Sequence, residues 1–395
     1  MNKIVNLSRE ERRELWSSAS QQLQPLPDFM IEKDFWVCFA LQHLFALPGA
    51  RDHFIFKGGT SLAKVWRAIH RFSEDIDISM SREWLGFTGD RDPEAAQTRA
   101  QRTKLLTALS AVCAKKVQEE LGPALHQSFS AALGRKDWSL EVDPKDEQTL
   151  LFNYPSVFPE ITGRYYVRQL VKIECGARSD RWPVSEGRVV AYVGEAFPDT
   201  LPDVGVDVPV LDIERTFWEK ALILHAEAHR PQDKPVPERY SRHYADVAAL
   251  AKSESAAGAL ERDDLRARVV AHKSVFFPQL GPNTKQPCQE RFVFCRPRKG
   301  FPSSRAIILR CRRCFSASRW RGANCLMCWR ILRSVSTLLL GIEDFSKKQS
   351  GSYVGIFSRM VTNGDNLRSE LFHFVPVRQN GRPSMSGINR HKSTS

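Results

Sequence analysis

The sequence has no run of about 18 apolar residues, so it lacks a segment that could cross a bilayer as a single helix. Its first eight residues lead into Arg- and Glu-rich sequence without an apolar core, and we therefore expect no signal peptide. It has no internal repeat and no extreme of composition, since 42% of its 395 residues are apolar and 26% are charged. These absences predict a soluble, cytoplasmic, globular protein without a membrane partner.

Acidic residues are scarce in one part of the chain only. Residues 282–395 contain 21 Lys and Arg but five Asp and Glu, whereas residues 1–281 contain 37 basic and 40 acidic residues. The net charge of +13, which is typical of nucleic-acid-binding proteins, therefore comes from this tail alone. Cysteine divides in the same way: only Cys38, Cys113 and Cys175 precede the tail, and we expect all three to be reduced, buried thiols.

The basic tail admits three interpretations. Four of its cysteines have the spacing C-x₂-C-x₁₀-C-x₂-C of a structural zinc site (Cys311, Cys314, Cys325 and Cys328). A basic RNA-binding extension would also suit the charge. We favour a third interpretation, that residues 282–395 are not read in their ancestral frame, because acidic residues nearly vanish there while Arg and Cys accumulate. Such a tail would be poorly ordered, and a C-terminal piece of the preceding domain would be missing.

A glycine pair follows a short predicted strand at residues 54–56. The segment is Lys57-Gly58-Gly59-Thr60-Ser61, and a helix is predicted from about residue 62 to 70. Two glycines let the backbone turn tightly and bring its N–H groups against a triphosphate. The helix start points at the same anion, and the two hydroxyl groups add donors. Taken alone, a glycine pair is more often a simple turn.

Two aspartates follow on the next predicted strand. Asp75 and Asp77 are two residues apart in Asp75-Ile76-Asp77-Ile78, so both carboxylates leave the same face of the strand. Like charges held this close repel unless a cation neutralises them. Mg²⁺ is the natural partner, because it prefers oxygen ligands and arrives with nucleotide phosphates. Two such ions would clamp the attacking and leaving oxygens of an in-line phosphoryl displacement.

A third carboxylate is predicted on another strand, at about residues 170–175. The alternation there places Val171, Ile173 and Cys175 on one face and Lys172 and Glu174 on the other. Glu174 could ligate a metal ion beside the aspartates or accept the proton of an attacking hydroxyl. A surface ion pair between Lys172 and Glu174 is the alternative. The combination of strand, Gly-Gly-Thr-Ser, short helix and Asp-Ile-Asp indicates a polymerase-β-type nucleotidyltransferase that uses NTP.

The same motifs resemble the nucleotidyltransferase AbiEii/AbiGii toxin family over about residues 5–280. The two segments above, extended to Lys57–Lys64 and Arg71–Ile78, carry the resemblance. Three further segments are similar to the family's other motifs and occur in its order: Ile31–Val37, Glu214–His225 and Arg239–Val247.

This resemblance implies a bacterial toxin of a toxin–antitoxin or phage-defence system, with a separate antitoxin from the same operon. It implies that Asp75 and Asp77 hold metal, that Lys220 contacts the triphosphate and that Asp246 completes the site. Some relatives add nucleotides to the 3′ end of tRNA, so tRNA is the leading acceptor. From the residues alone, Lys220 and Glu219 read as solvated helix charges, and Arg242 with Asp246 as a surface ion pair.

The predicted fold class is α+β. Residues 1–205 form a polymerase-β-like nucleotidyltransferase domain with a mixed sheet flanked by helices, and residues 206–281 form a helical domain that completes the site. We predict a catalytic set of Asp75, Asp77, Glu174, Lys220 and Asp246, of which the first three bind Mg²⁺. The nucleotide-binding set is Lys57, Gly58, Gly59, Thr60, Ser61, Lys64, Arg71, Ser73 and Arg242. The alternatives are an acceptor hydroxyl on a protein or small molecule, and an inactive pseudo-toxin that only binds nucleotide.

Overall fold

The computed structural model describes residues 1–23, 26–134, 137–159, 168–201, 204–228 and 240–277, with the short strands at 293–294 and 309–310. These residues all belong to one compact unit, Met1–Leu338, and a second unit, Leu339–Ser395, lies wholly outside them. The predictions of a zinc site, of a changed frame and of disorder in the tail also lie outside the described residues. Within them, no helix is both long and apolar enough to cross a bilayer.

A sheet of seven strands forms the centre of the described part. The strands are β1 (Phe54–Lys57), β2 (Ile76–Met80), β3 (Ser139–Asp143), β4 (Asp146–Asn153), β5 (Val171–Gly176), β6 (Val184–Val190) and β7 (Gly205–Leu211). Their order is β3-β4-β5-β2-β1-β7-β6. The pairs β2–β5 and β1–β7 are parallel and the other neighbours are antiparallel. This arrangement confirms the predicted mixed sheet and the α+β class.

Helices pack around this sheet. They are α1 (Asn2–Val5), α2 (Arg9–Gln22), α3 (Asp28–Phe45), α4 (Ala50–His53), α5 (Gly58–Lys64), α6 (Arg99–Lys116), α7 (Gly122–Leu133), α8 (Tyr192–Ala196), α9 (Ile213–Ala228), α10 (Ser241–Leu250) and α11 (Asp263–Phe276). Helix α3 is the most buried of these, because fourteen of its eighteen residues are inaccessible to solvent. Its Trp36 packs against Phe35, Phe39, Phe152 and Tyr154 in an aromatic cluster.

The two strands that carry the predicted carboxylates alternate as expected. In β5, Val171, Ile173 and Cys175 are buried while Lys172 and Glu174 are half-buried. In β2, Ile76 and Ile78 are fully buried and Asp77 is not. Asp77 and Glu174 therefore remain partly exposed on the face opposite these buried side chains, where a site can form. The three cysteines that precede the tail are free and buried, which confirms that prediction.

One helix of the fold begins earlier than the sequence predicts. The helix predicted to begin at residue 62 begins at Gly58, so the glycine pair forms the first turn of α5 rather than a separate loop. Strand β7 contains a proline, Pro209, which cannot donate a backbone hydrogen bond to the sheet. Proline is tolerated there because β7 shares only one register pair with β1, Phe56 with Val210, and pairs along its length with β6. The domain boundary predicted after residue 205 falls at the start of this strand.

Candidate active site

Two carboxylates lie side by side on one face of the sheet, and a third lies in the loop directly before β2. Asp77 of β2 lies beside Glu174 of β5 in the parallel register, and Asp75 comes two residues before Asp77. Neighbouring strands are about 5 Å apart, so the side chains of Asp77 and Glu174 are direct neighbours. The alternative of a surface pair between Lys172 and Glu174 is not what the structure shows, because the Lys172 ammonium lies 3.3 Å from Asp143.

Two of these carboxylates, Asp75 and Glu174, have a raised affinity for protons. Burial, followed by the charges of Asp77 and Asp75, raises the pKa of Glu174 from its ordinary value to about 7. Burial also raises the pKa of Asp75, to which the charge of Glu74 adds, while Lys33 acts in the opposite direction. Lys172 and Lys57 act in the opposite direction on Glu174 but do not cancel the rise. Such a cluster attracts a cation.

Gly58 lets one of these carboxylates approach the start of helix α5. Its φ angle is +84°, and a Cβ atom at this position would lie 1.9 Å from the Asp77 Oδ2 atom. Any other residue would therefore be strained in its backbone and would displace the Asp77 side chain. The Lys57 ammonium lies 3.8 Å from the Asp77 Oδ1 atom. The glycine pair and the acidic strand, which were separate motifs in the sequence, are in direct contact.

The rest of the Gly-Gly-Thr-Ser segment is tied to the loop before β2. A Cβ atom on Gly59 would lie 2.8 Å from both Arg71 and Ser73. The Thr60 hydroxyl donates to the Asp75 carbonyl oxygen at 2.5 Å and lies 3.0 Å from Ser73 Oγ. The Ser61 hydroxyl donates to the Gly58 carbonyl oxygen at 2.9 Å. Both hydroxyl groups thus fix the shape of the segment.

A buried aspartate gathers two cations from distant parts of the chain. Asp246 of α10 is 1% exposed and accepts two hydrogen bonds from the Arg71 guanidinium, at 2.8 and 2.9 Å. It also accepts one from the Lys220 ammonium of α9, at 2.9 Å. Burial alone would raise the pKa of Asp246, but the hydrogen bonds from Arg71 and the charge of Lys220 lower it. We call Asp246, Arg71 and Lys220 the basic clamp.

Two surface readings of these helix charges are thereby wrong. Asp246 is buried and paired with the clamp cations rather than forming a surface pair with Arg242. Lys220 is buried as well, and its neighbour Glu219 contacts Arg215 and Lys273 at 3.4 and 3.5 Å. The sequence of α9 does not reveal these contacts. Asp246 and Lys273 lie on other helices, and the sequence does not show that the face of α9 with Arg215 and Glu219 is covered.

A cavity of about 290 Å³ opens beside the carboxylates and the clamp. It is lined by Arg71, Phe72, Ser73, Glu74, Asp75, Ser241 and Arg242. Four of these seven residues were predicted from the sequence: Arg71, Ser73, Asp75 and Arg242. Phe72, Glu74 and Ser241 were not, although each is the sequence neighbour of a predicted residue.

Lys64, which was predicted to bind nucleotide, does not line this cavity. Its ammonium is buried 2.9 Å from the Asp34 carboxylate and 3.4 Å from the centre of the Tyr192 ring. Its side chain is 2% exposed. Lys64 thus joins the end of α5 to α3.

The donor set suits Mg²⁺ even though the carboxylates do not form a complete cage. Among the described residues, no group of three or more His, Cys, Asp or Glu side chains is arranged as a set of metal ligands. Mg²⁺ in enzymes is usually bound by one or two carboxylates together with substrate phosphates and water. The carboxylates of Asp75 and Asp77 meet that requirement without a third protein ligand.

Comparison with known families decides the identity of the fold that carries this site. The sequence pattern of the family described as Nucleotidyl transferase AbiEii toxin, Type IV TA system, matches residues 40–296. The chain belongs to this family. The AbiEii match confirms the family indicated by the motifs and the nucleotidyl transferase class of enzyme. The matched range contains the carboxylates and the basic clamp. It begins after the segment Ile31–Val37 and ends beyond the predicted limit near residue 280. Neither a comparison with curated proteins nor one with solved structures found a match.

Proposed function

We propose that this AbiEii-type toxin transfers a nucleotide from an NTP to the 3′-hydroxyl of an RNA, with tRNA as the leading acceptor. The observation that supports this most directly is that one cavity is lined by a member of each of two oppositely charged sets. Asp75, which lines the cavity, belongs to the carboxylate cluster, and Arg71, which also lines it, belongs to the basic clamp.

The chain's own residues supply binding and orientation. Asp75 and Asp77 would hold Mg²⁺, which when bound neutralises phosphate charge and polarises the phosphoryl group. The N–H groups of Gly58 and Gly59 lie in the first turn of α5, beside Asp77. The triphosphate would lie along this turn.

The remaining residues complete the transfer. Arg71 and Lys220, held by Asp246, would balance charge on the β- and γ-phosphates. The RNA 3′-oxygen attacks the α-phosphate, the bond from that phosphorus to the bridging oxygen breaks, and pyrophosphate leaves. Glu174 would accept the proton of the attacking hydroxyl, because it lies on the same face of the sheet as Asp77. Arg242, exposed on the rim of the cavity, would contact the nucleotide there.

Labelled-nucleotide transfer tests this proposal. The full chain is incubated with each α-labelled NTP, Mg²⁺ and total tRNA, and the products are separated by size. We expect label in tRNA with the wild type and none with Asp75→Asn or Asp77→Asn. Asp90→Asn is the control, because Asp90 is an exposed aspartate in the 3₁₀ segment Gly89–Arg91.

Three other results would each contradict one part of the proposal. Label in protein or in a small molecule, when a whole lysate replaces the tRNA, would contradict RNA as acceptor. Magnesium-dependent NTP binding without transfer would indicate an inactive pseudo-toxin. Transfer that survives Asp75→Asn would contradict the role given to the carboxylates.

Growth arrest on expression, relieved by co-expression of the adjacent gene, would support the toxin–antitoxin role.

A further inference from the structure

Three consecutive charged residues are buried in the middle of helix α3. Glu32, Lys33 and Asp34 are 0%, 2% and 2% exposed. Successive residues on a helix point about 100° apart, so the three side chains reach three different parts of the molecule. Glu32 accepts hydrogen bonds from the Ser156 hydroxyl, at 2.5 Å, and from the Val157 amide, at 2.8 Å.

The other two side chains reach the segments that build the active site. Asp34 binds Lys64 at the end of α5 and accepts a hydrogen bond from the Tyr192 amide at 2.6 Å. Lys33 donates to the Glu74 carboxylate at 2.6 Å and to the Arg168 carbonyl oxygen at 2.7 Å.

Burying charges in this way is a poor means of gaining stability. The desolvation of two ions offsets much of their attraction, and apolar residues of similar volume often stabilise a core equally well. A buried pair does fix geometry, because a displacement of either partner leaves a buried charge uncompensated. The charges of α3 are therefore better explained by the positions that they impose than by the stability that they add.

The segment that Lys33 reaches needs such support. Residues 71–75 contain no helix or strand, so side-chain contacts from other elements fix their path. Thr60 holds the Asp75 carbonyl group from α5, and Asp246 holds Arg71 from α10. Lys33 provides the contact from α3, through the residue directly before Asp75.

We propose that Lys33 is a positioning residue, which holds Glu74 and thereby sets the place of the Asp75 carboxylate in the active site. Lys33 does not touch substrate, because its side chain is 2% exposed beneath Glu74, which lines the cavity. The inference rests on the proposed catalytic role of Asp75. A displacement of about 1 Å in a catalytic group can cost about 100-fold in rate.

Kinetics of Lys33→Met and Glu74→Ala test the inference on the full chain. We expect kcat to fall at least about tenfold in each variant, with KM for NTP within about threefold, because the phosphate-binding turn stays in place. The double variant should lose no more than the worse single variant, because both changes break one contact. Glu32→Gln is the matched control: it is equally buried on the same helix, and it should keep the wild-type kcat.

A second measurement separates positioning from general damage to the fold. Amide hydrogen exchange in residues 71–75 should be faster in Lys33→Met and Glu74→Ala than in the wild type, and unchanged in Glu32→Gln. If Lys33→Met does not fold, Glu74→Ala decides alone, because its side chain is 20% exposed and lies outside the core of α3.

The possible failures are distinguishable. If Asp75→Asn abolishes transfer while Lys33→Met and Glu74→Ala keep wild-type kcat and exchange rates, the inference about Lys33 is wrong. If Asp75→Asn itself keeps full activity, the proposed function is wrong instead. A kcat loss in Glu32→Gln equal to that in Lys33→Met would also overturn the inference, because it would show that any change in this helix has the same effect.

Discussion

Replacing Asp246 by asparagine should destabilise the free protein, although the change removes no volume. The carboxylate is 1% exposed and accepts three hydrogen bonds from Arg71 and Lys220. Removing one partner of a buried charge pair costs about 3–5 kcal/mol. Because the Arg71 side chain is 30% exposed and can hydrate, we expect the lower end, about 3 kcal/mol. That corresponds to a fall in melting temperature of about 4–5 °C, at an unfolding entropy of about 2.1 cal/mol/K per residue in a chain of this size.

Nucleotide should affect this variant at least as strongly as the wild type. Without the Asp246 charge, Arg71 and Lys220 have no internal anion in the clamp, and a triphosphate can replace it. A ligand at 100 times its Kd stabilises a protein by about 2.7 kcal/mol. We expect a gain of this size or larger from NTP in Asp246→Asn, together with a kcat at least about tenfold lower, because the two cations are no longer held in place.

The same substitution at Asp75 should have the opposite effect on stability. Asp75, Asp77 and Glu174 repel one another, so loss of one charge relieves that repulsion. We expect Asp75→Asn to melt at or above the wild-type temperature while losing all transfer activity. Thermal denaturation with and without NTP, beside the labelled-nucleotide assay, measures both variants. The reasoning is refuted if Asp246→Asn melts with the wild type, or if Asp75→Asn is destabilised as much as Asp246→Asn.

The carboxylate face could be predicted because it depends on local patterns. Alternation along residues 171–175 placed Glu174 opposite the buried side chains, and the structure confirms this. The neighbour relation of Asp77 and Glu174 could not be derived in the same way, because it depends on the register of two parallel strands nearly 100 residues apart. The hairpin of β3 and β4 is local, but it was not predicted either.

The basic clamp shows why helix spacing alone misleads. Arg242 and Asp246 have the i,i+4 spacing of an ion pair, but Asp246 faces inward and its partner Arg71 lies 175 residues away in the sequence. The charges of α3 had a readable signal. The charged run Glu32-Lys33-Asp34 is flanked by Ile31 and by an aromatic pair, in a largely apolar helix. A helix that is apolar on all sides is buried, and charges within it are then buried with partners.

Three further predictions follow from buried contacts. Gly58→Ala should lower the free energy of unfolding by about 1–2 kcal/mol, because φ at this position is +84°. It should also reduce transfer, because the added Cβ displaces the Asp77 carboxylate. In the control Gly89→Ala, φ is +55° and no described atom lies within 4 Å of the added Cβ, so only the conformational cost should remain and activity should be kept. Asp34→Asn and Lys64→Met should each destabilise the protein by about 3 kcal/mol, and the double variant should lose less than the sum of the two. Additive losses in this double-mutant cycle would show that the buried pair is not coupled. His272 is fully buried, and neither of its ring nitrogens is hydrogen-bonded within the part of the chain that the structure describes; burial lowers its pKa from 6.5 to about 3. Below about pH 6.5 the unfolded chain takes up a proton that the folded chain refuses, so stability falls as the pH falls towards 3. Urea denaturation at pH 7 and pH 5 should therefore show about 2 kcal/mol more loss in the wild type than in His272→Leu, and equal losses would mean that this imidazole is protonated in the folded protein.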